Sequence, residues 1–284
     1  MRPLGTIVLA EGFFYVEAPR WRDDALWMSD TVGGKFYRLD LAGRAQVVAD
    51  VPQRPAGLAF LPDRSLLIAS VRDRCILRLH GGKLEQHASL GPLSGEPGDM
   101  VVDEAGRAYI ATFSFASRSE AGFDEAAIVM MRPDGSTEIV ARGFEFPNGC
   151  AILAGERRLV VAETFGQRLT CFSIAGDGRL VDRRIFAQLD SIAPDGICLD
   201  QDGAVWMAAS GRSEFLRVVE GGRITHRVET PGRQAVACAL GGLDGRTLFC
   251  LTVAEQFEDV PGCPATARVD IAKVAIPAQG TWDA

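Results

Sequence analysis

One short pattern recurs along this chain at a spacing that few folds can use. A Pro-x-Gly step is followed by a short apolar run, a polar turn and a second apolar run. Pro194-Asp195-Gly196 leads into Ile197-Cys198-Leu199, then Asp200-Gln201-Asp202-Gly203, then Ala204-Val205-Trp206-Met207-Ala208-Ala209. Pro147-Asn148-Gly149 and Pro55-Ala56-Gly57 open the same sequence of elements, and Pro97-Gly98-Asp99 opens a near copy. Pro19-Arg20-Trp21 begins a degenerate first copy, and Val236-Ala237-Cys238 begins a sixth that lacks the proline. Each anchor reads as a tight turn before a strand.

The anchors fall at 19, 55, 97, 147, 194 and 236, so the steps are 36, 42, 50, 47 and 42 residues. That is the range of four-stranded propeller blades. Further β-branched and aromatic segments follow each pair of runs, such as Lys35-Phe36-Tyr37-Arg38-Leu39 and Glu138-Ile139-Val140-Ala141. No long stretch shows the 3.6-residue period of a capped helix. The expected fold is all-β: a six-bladed β-propeller of about 24 strands filling residues 1–284 as one domain. A ring needs a clasp, and Thr6–Ala10 is expected to pair with Arg268–Ile276 in one blade. The longest step places an insertion at Phe113–Glu125, a candidate lid or pocket wall or an ordinary surface loop.

Equivalent residues of all blades lie at one height around a propeller's channel. The middle position of the repeated step therefore defines a ring of Ala56, Gly98, Asn148 and Asp195. Two are small and two carry hard oxygen donors of the kind that hold calcium. Glu17, two residues before Pro19, is expected to face the same point, with Arg20 in the middle position. Glu17, Asn148 and Asp195 would leave a divalent cation open positions for water and substrate, as catalysis requires. Zinc is less expected, because its sites usually draw on His or Cys. The competing reading is local: Asp and Asn beside Gly are common turn formers that bond their own backbone.

Bulk properties narrow the partners. A net charge of −7 and no dense basic block disfavour nucleic acid. The N-terminal run is too short and too broken by Pro and Gly for a signal peptide, and no stretch is long enough to span a bilayer. The seven cysteines are odd in number and form no Cys-x-x-Cys pair, which disfavours a disulfide framework and a zinc–thiolate site. A reducing, cytoplasmic location is expected. No Gly-x-Ser-x-Gly elbow occurs, and His80, His87 and His226 read as turn or strand residues rather than bases.

Val16-Glu17-Ala18-Pro19-Arg20-Trp21, Pro147-Asn148-Gly149 and Pro194-Asp195-Gly196, in this order over nearly the whole chain, resemble the SMP-30/gluconolactonase/luciferin-regenerating-enzyme family. The resemblance implies one divalent metal ion at the channel mouth, Ca2+ first, with Zn2+, Mg2+ or Mn2+ as alternatives. It implies Glu17, Asn148 and Asp195 as ligands, Asp195 as the proton-transfer residue, and a small lactone or related cyclic ester as substrate. At the third motif sugar lactonases tend to carry Arg-x-Asn-Asp, whereas this chain has Glu96-Pro97-Gly98-Asp99. An acidic residue thus replaces a basic one, which disfavours gluconolactone itself. Asp99 is expected near the metal, directly or through water, or bonded to backbone at a strand start. Arg20, Glu96, Gly98, Phe113 and Glu163 are further candidates for contacting substrate or supporting the ligands. Other readings of the same pattern are a non-catalytic binding propeller with a structural cation, a strictosidine-synthase-like enzyme, and a lyase or isomerase on the same site.

Overall fold

The computed structural model describes residues 3–91, 95–113, 126–153, 155, 157–254 and 257–280. Among them the chain forms six four-stranded antiparallel sheets and no helix, the arrangement of a six-bladed propeller. Five blades take four consecutive strands each. The sixth is closed by Ile7–Phe13, which pairs antiparallel with Ala267–Lys273 and becomes the outermost strand of the last blade. The predicted clasp is therefore present, a little longer at its N-terminal side. Because the ends of the chain share one sheet, opening the ring means breaking a strand ladder.

The innermost strands are Val16–Arg22, Pro55–Phe60, Glu96–Val102, Pro147–Leu153, Ala193–Leu199 and Arg233–Gly241. The repeated Pro-x-Gly step lies inside these strands and is not a turn, contrary to the sequence expectation. In four of them the register slips by one residue within the step, between Pro55 and Leu58, Pro97 and Met100, Pro147 and Cys150, and Pro194 and Ile197. In the first blade it slips between Glu17 and Arg20, so Glu17 stands where those four have proline. Arg20 lies past the bulge rather than at its middle, contrary to the sequence expectation. Each is a β-bulge, which re-aims a side chain and bends the strand. Proline suits a bulge because it has no N–H to give the ladder. Turn and bulge share residue preferences, and only pairing on the next strand separates them.

The glycines are required by the neighbouring blade. A Cβ on Gly149 would sit 2.6 Å from the Asp195 carbonyl oxygen, and one on Gly57 would sit 2.2 Å from that of Gly98. The innermost strands thus touch backbone to backbone around the axis. Outside this ring, buried apolar side chains fill the wedge between each pair of adjacent blades in six clusters. Trp21 stacks on Phe249 at 5.1 Å across the junction of the last and first blades. Burial of such rings is the main favourable term holding the ring shut.

Candidate active site at the channel mouth

Each bulge lies in the first half of its innermost strand, and two of them centre on Asn148 and Asp195. These two residues, from adjacent blades, meet: the Asn148 Nδ2 donates to Asp195 Oδ1 at 2.6 Å. The same amide nitrogen donates to Thr164 Oγ1 at 3.3 Å, while the Thr164 hydroxyl donates to the Pro194 carbonyl at 2.8 Å. One hydroxyl therefore ties the Asn148 amide to the backbone just before Asp195. Its proton is committed to Pro194, so its lone pairs select the NH2 side of Asn148 and direct the amide oxygen elsewhere.

Glu17 joins these two electrostatically. Burial, then Asp195 and Asp99, push its carboxyl well above the usual carboxylate range. Burial also raises Asp195, to about 7, with the Asn148 hydrogen bond opposing and Asp99 adding to the shift. Among the described residues neither Glu17 nor Asp195 has a basic partner. Tyr15, beside them, is raised well above its ordinary value by burial and by the charges of Glu17, Asp195 and Asp259, so it stays a neutral phenol. Its place in the sequence gives no sign of the carboxylates it faces.

The other candidates separate into two groups. Asp99 is in the cluster but is already engaged: Arg20 pairs with its Oδ1 at 2.8 Å, and the Cys150 amide donates to its Oδ2 at 3.0 Å. Arg20 is buried, donates as well to the Met100 carbonyl, and acts on Asp99 rather than on the open mouth. Gly98 lies under the Phe113 ring, and Glu96 is half-buried opposite Phe113 in the ladder. Glu163 departs from expectation. Its fully buried carboxylate points outward along its blade, away from the channel. It is held by Arg168 at 2.7 Å, by Arg183 at 3.3 Å, by Thr170 and by the Glu145 amide. Burial alone would raise its pKa, and these partners outweigh it and bring it down. Thr164, the next residue, is the one that reaches Asn148.

Rings from the connecting loops wall the mouth. Phe113 packs on Phe146 at 5.0 Å, and Phe146 on Phe165 at 4.7 Å. Tyr15 packs on Phe257 at 5.1 Å. Phe146, Phe165 and Phe257 escaped sequence analysis, although Phe146 immediately precedes Pro147. The rest of the Phe113–Glu125 insertion, residues 114–125, lies outside the described residues. A cavity of about 420 Å3 lies elsewhere, in the opposite half of the channel, lined by Trp21, Ile152, Ile197, Cys198 and Leu240 among others. A void of about 10 Å3 bounded by Glu17, Asp99 and Asn148 sits nearer the mouth, big enough for one water-sized particle. The apolar half is roomier, but the convergent acids are at the mouth, and the chemistry belongs with them. The three histidines lie on the outer strands of their blades, at His80, His87 and His226.

Among the described residues no three His, Cys, Asp or Glu side chains are grouped as a metal site. The set that fits a hard cation is mixed: two carboxylates without basic partners and one carboxamide. Its all-oxygen chemistry suits calcium, magnesium or manganese better than zinc.

Three comparisons place these features among known proteins. The SMP-30/gluconolactonase/LRE-like region matches residues 9–254. A 6-deoxy-6-sulfogluconolactonase of Pseudomonas putida is 25% identical over 276 residues, 92% of this chain and 93% of the relative. A pentonolactonase of Haloferax volcanii is 27% identical over 246 residues, 83% and 80% of the two chains. The calcium-binding protein regucalcin of Agrobacterium tumefaciens shares the fold with a TM-score of 0.78 at 21% identity, covering 98% of this chain and 97% of that one. With an ordered match that runs from the clasp strand into the sixth blade, this chain belongs to the SMP-30/gluconolactonase/LRE-like family.

Proposed function

We propose that this protein is a lactonase that opens a cyclic ester at the channel mouth with a divalent cation held by Glu17, Asn148 and Asp195. The observation that carries this reading is the pair of carboxylates from the first and fifth blades, forced together without a basic partner. Such an arrangement is costly unless the acids are protonated or share a cation. The lactonase relatives support the choice of ester hydrolysis over other uses of the same site.

The cation, when bound, supplies a Lewis acid for the ester carbonyl and lowers the pKa of water. The protein supplies the rest. Asp195 accepts a proton from the attacking water and returns it to the ring oxygen that leaves. The water oxygen bonds to the acyl carbon, the acyl C–O bond breaks, and the product is one open hydroxy acid. Asn148 fixes the Asp195 carboxylate from one side. Arg20 neutralises Asp99, so that the cluster is not burdened with a third free negative charge. Tyr15 is a neutral donor placed to orient a substrate oxygen. Seven free cysteines, six of them buried, accord with a reducing location such as the cytoplasm.

The test is hydrolysis of a lactone panel before and after chelation, with Ca2+, Mg2+, Mn2+ and Zn2+ restored singly. Activity lost to the chelator and recovered with one of these ions is expected. Turnover that survives complete removal of metal would refute the cation's role.

A further inference from the structure

The rings at the mouth point to the kind of lactone the site takes. Phe113, Phe146 and Phe165 form a continuous strip across the loops of the third and fourth blades. Phe146, the middle ring, is bonded to Pro147 and is separated from Asn148 by that one residue, so the strip passes beside the reacting centre. Its φ of 61° is unusual for so bulky a residue. Packing between two other rings holds it there. Tyr15 and Phe257 form a second aromatic pair, packed against the core of the first and sixth blades and, through Tyr15, beside Glu17. Phe165 is 48% exposed, an apolar face left open to solvent at the rim.

Among the described residues, polar recognition is weak by comparison. A Cβ on Gly98 would lie 2.9 Å from the Phe113 ring, so the ring occupies the space that a polar side chain at 98 would use to enter the mouth. The basic groups near the cluster, Arg20 and Arg54, are engaged with Asp99 and Asp259. A polyhydroxylated or anionic substrate needs donors and cations to replace its hydration, and any of its polar groups left buried and unpaired weaken binding. A flat apolar body needs only ring faces.

We propose that the mouth selects a neutral lactone fused to, or bearing, a planar aromatic body, seated between the Phe113–Phe146–Phe165 strip and the Tyr15–Phe257 pair. This rests on the lactonase reading and deepens it: hydrolysis breaks the same acyl C–O bond and releases a phenol or alcohol with the carboxylate. Phe165 is the contact most easily removed, since it is half-exposed and its loss leaves the inner strands untouched.

The experiment compares kcat/KM for dihydrocoumarin, D-glucono-1,5-lactone and γ-butyrolactone in the wild type, Phe165→Ala and Phe165→Tyr. Dihydrocoumarin should be the best of the three. Phe165→Ala should reduce the ratio of dihydrocoumarin to γ-butyrolactone turnover roughly three- to tenfold, mostly through KM, the worth of one aromatic contact. Phe165→Tyr should keep the ratio. A preference for the gluconolactone, or a ratio unmoved by Phe165→Ala, overturns the inference while leaving lactonase function standing. If no lactone is hydrolysed, the lactonase reading falls, and calorimetry with the lactam 3,4-dihydroquinolin-2-one decides the pocket. Saturable binding weakened by Phe165→Ala upholds the flat apolar site, and absence of binding overturns it.

Discussion

Two kinds of buried acid occur in this molecule, and they are treated oppositely. Glu163 and Asp200 sit inside their blades at zero exposure, each with an arginine built against it: Arg168 and Arg183 for the first, Arg217 for the second at 2.5 Å. Asp200 also accepts from the amides of Asp202 and Ala204. Glu17 and Asp195 are brought together at the mouth with no such partner among the described residues. Arg20, which reaches the same cluster, is spent on Asp99. Asp30, buried as well, is answered by the amides of Phe14, Tyr15 and Gly33, whereas Glu17 meets the charges of Asp195 and Asp99, an arrangement that calls for a proton or a cation. The comparison marks the mouth as the working site more sharply than cavity size does.

Replacing one acid of each kind separates the two roles. Asp195→Asn removes the proton acceptor and one cation ligand, and a loss of about a thousandfold or more in kcat/KM is expected. Its metal-free fold should be as stable as the wild type or more so, because a buried, repelled charge has been deleted. Steady-state kinetics and urea unfolding on the same preparation check both halves. Full activity in Asp195→Asn would erase the distinction drawn here.

The pH dependence of stability should differ between the two sets as well. The folded-state pKa of Asp195, about 7, lies above its unfolded value, so its contribution is fully present below the unfolded pKa and is lost as pH rises toward 7. Glu17 is shifted in the same direction. Metal-free protein should therefore lose on the order of a few kcal/mol between about pH 4 and pH 7. Saturating calcium should flatten this slope, since the cation takes the place of the proton. Thermal melts in chelator and in calcium across that range measure it. Glu163, lowered by its partners, works with the opposite sign: its contribution is present at neutral pH and is lost as pH falls through its folded pKa.

Glu163→Gln supplies the matching control. The change removes a charged partner from Arg168 and Arg183, which keep Glu145 and the Arg142 and Gly143 carbonyls, so about 1–3 kcal/mol of stability should be lost. The kcat/KM of the folded fraction should stay within a small factor of wild type, because the carboxylate points away from the channel. A collapse in turnover without loss of stability would place Glu163 back at the site.

Much of this arrangement was legible in the sequence because repetition turns position into geometry. Asn148 and Asp195 share one place in the repeat, and that alone sets them side by side, as their 2.6 Å contact shows. The local form of the step was misread: proline and glycine suit a turn and a bulge alike, and the pairing that separates them comes from the next strand. The fates of Asp99 and Glu163 were also hidden. Arg20 is 79 residues from Asp99 in the chain, and nothing local to either announces the pair. The aromatic walls come from loops between strands, where residue type follows no period. Repeat register therefore exposes what every blade shares, whereas charge compensation and substrate walls arise where blades differ.

Thr164 offers the finest test of that difference, since it is a contact made by one blade alone. Its hydroxyl donates to the Pro194 carbonyl and accepts from the Asn148 amide, so it sets both residues that flank the cluster. Thr164→Val keeps the shape but removes donor and acceptor together. The Asn148 amide then loses the contact that fixes which of its ends faces the cluster. Partners that orient ligands are typically worth about ten- to a hundredfold in metal affinity, and the lower figure is expected for a single 3.3 Å contact. Thr164→Ser should retain wild-type affinity, because the hydroxyl remains. Terbium luminescence or calorimetry with calcium reads this directly, without reference to turnover. Equal affinity in the valine and serine variants would mean that Asn148 is oriented by Asp195 alone, and that the mouth owes its order to its own two acids and amide rather than to the blade behind them.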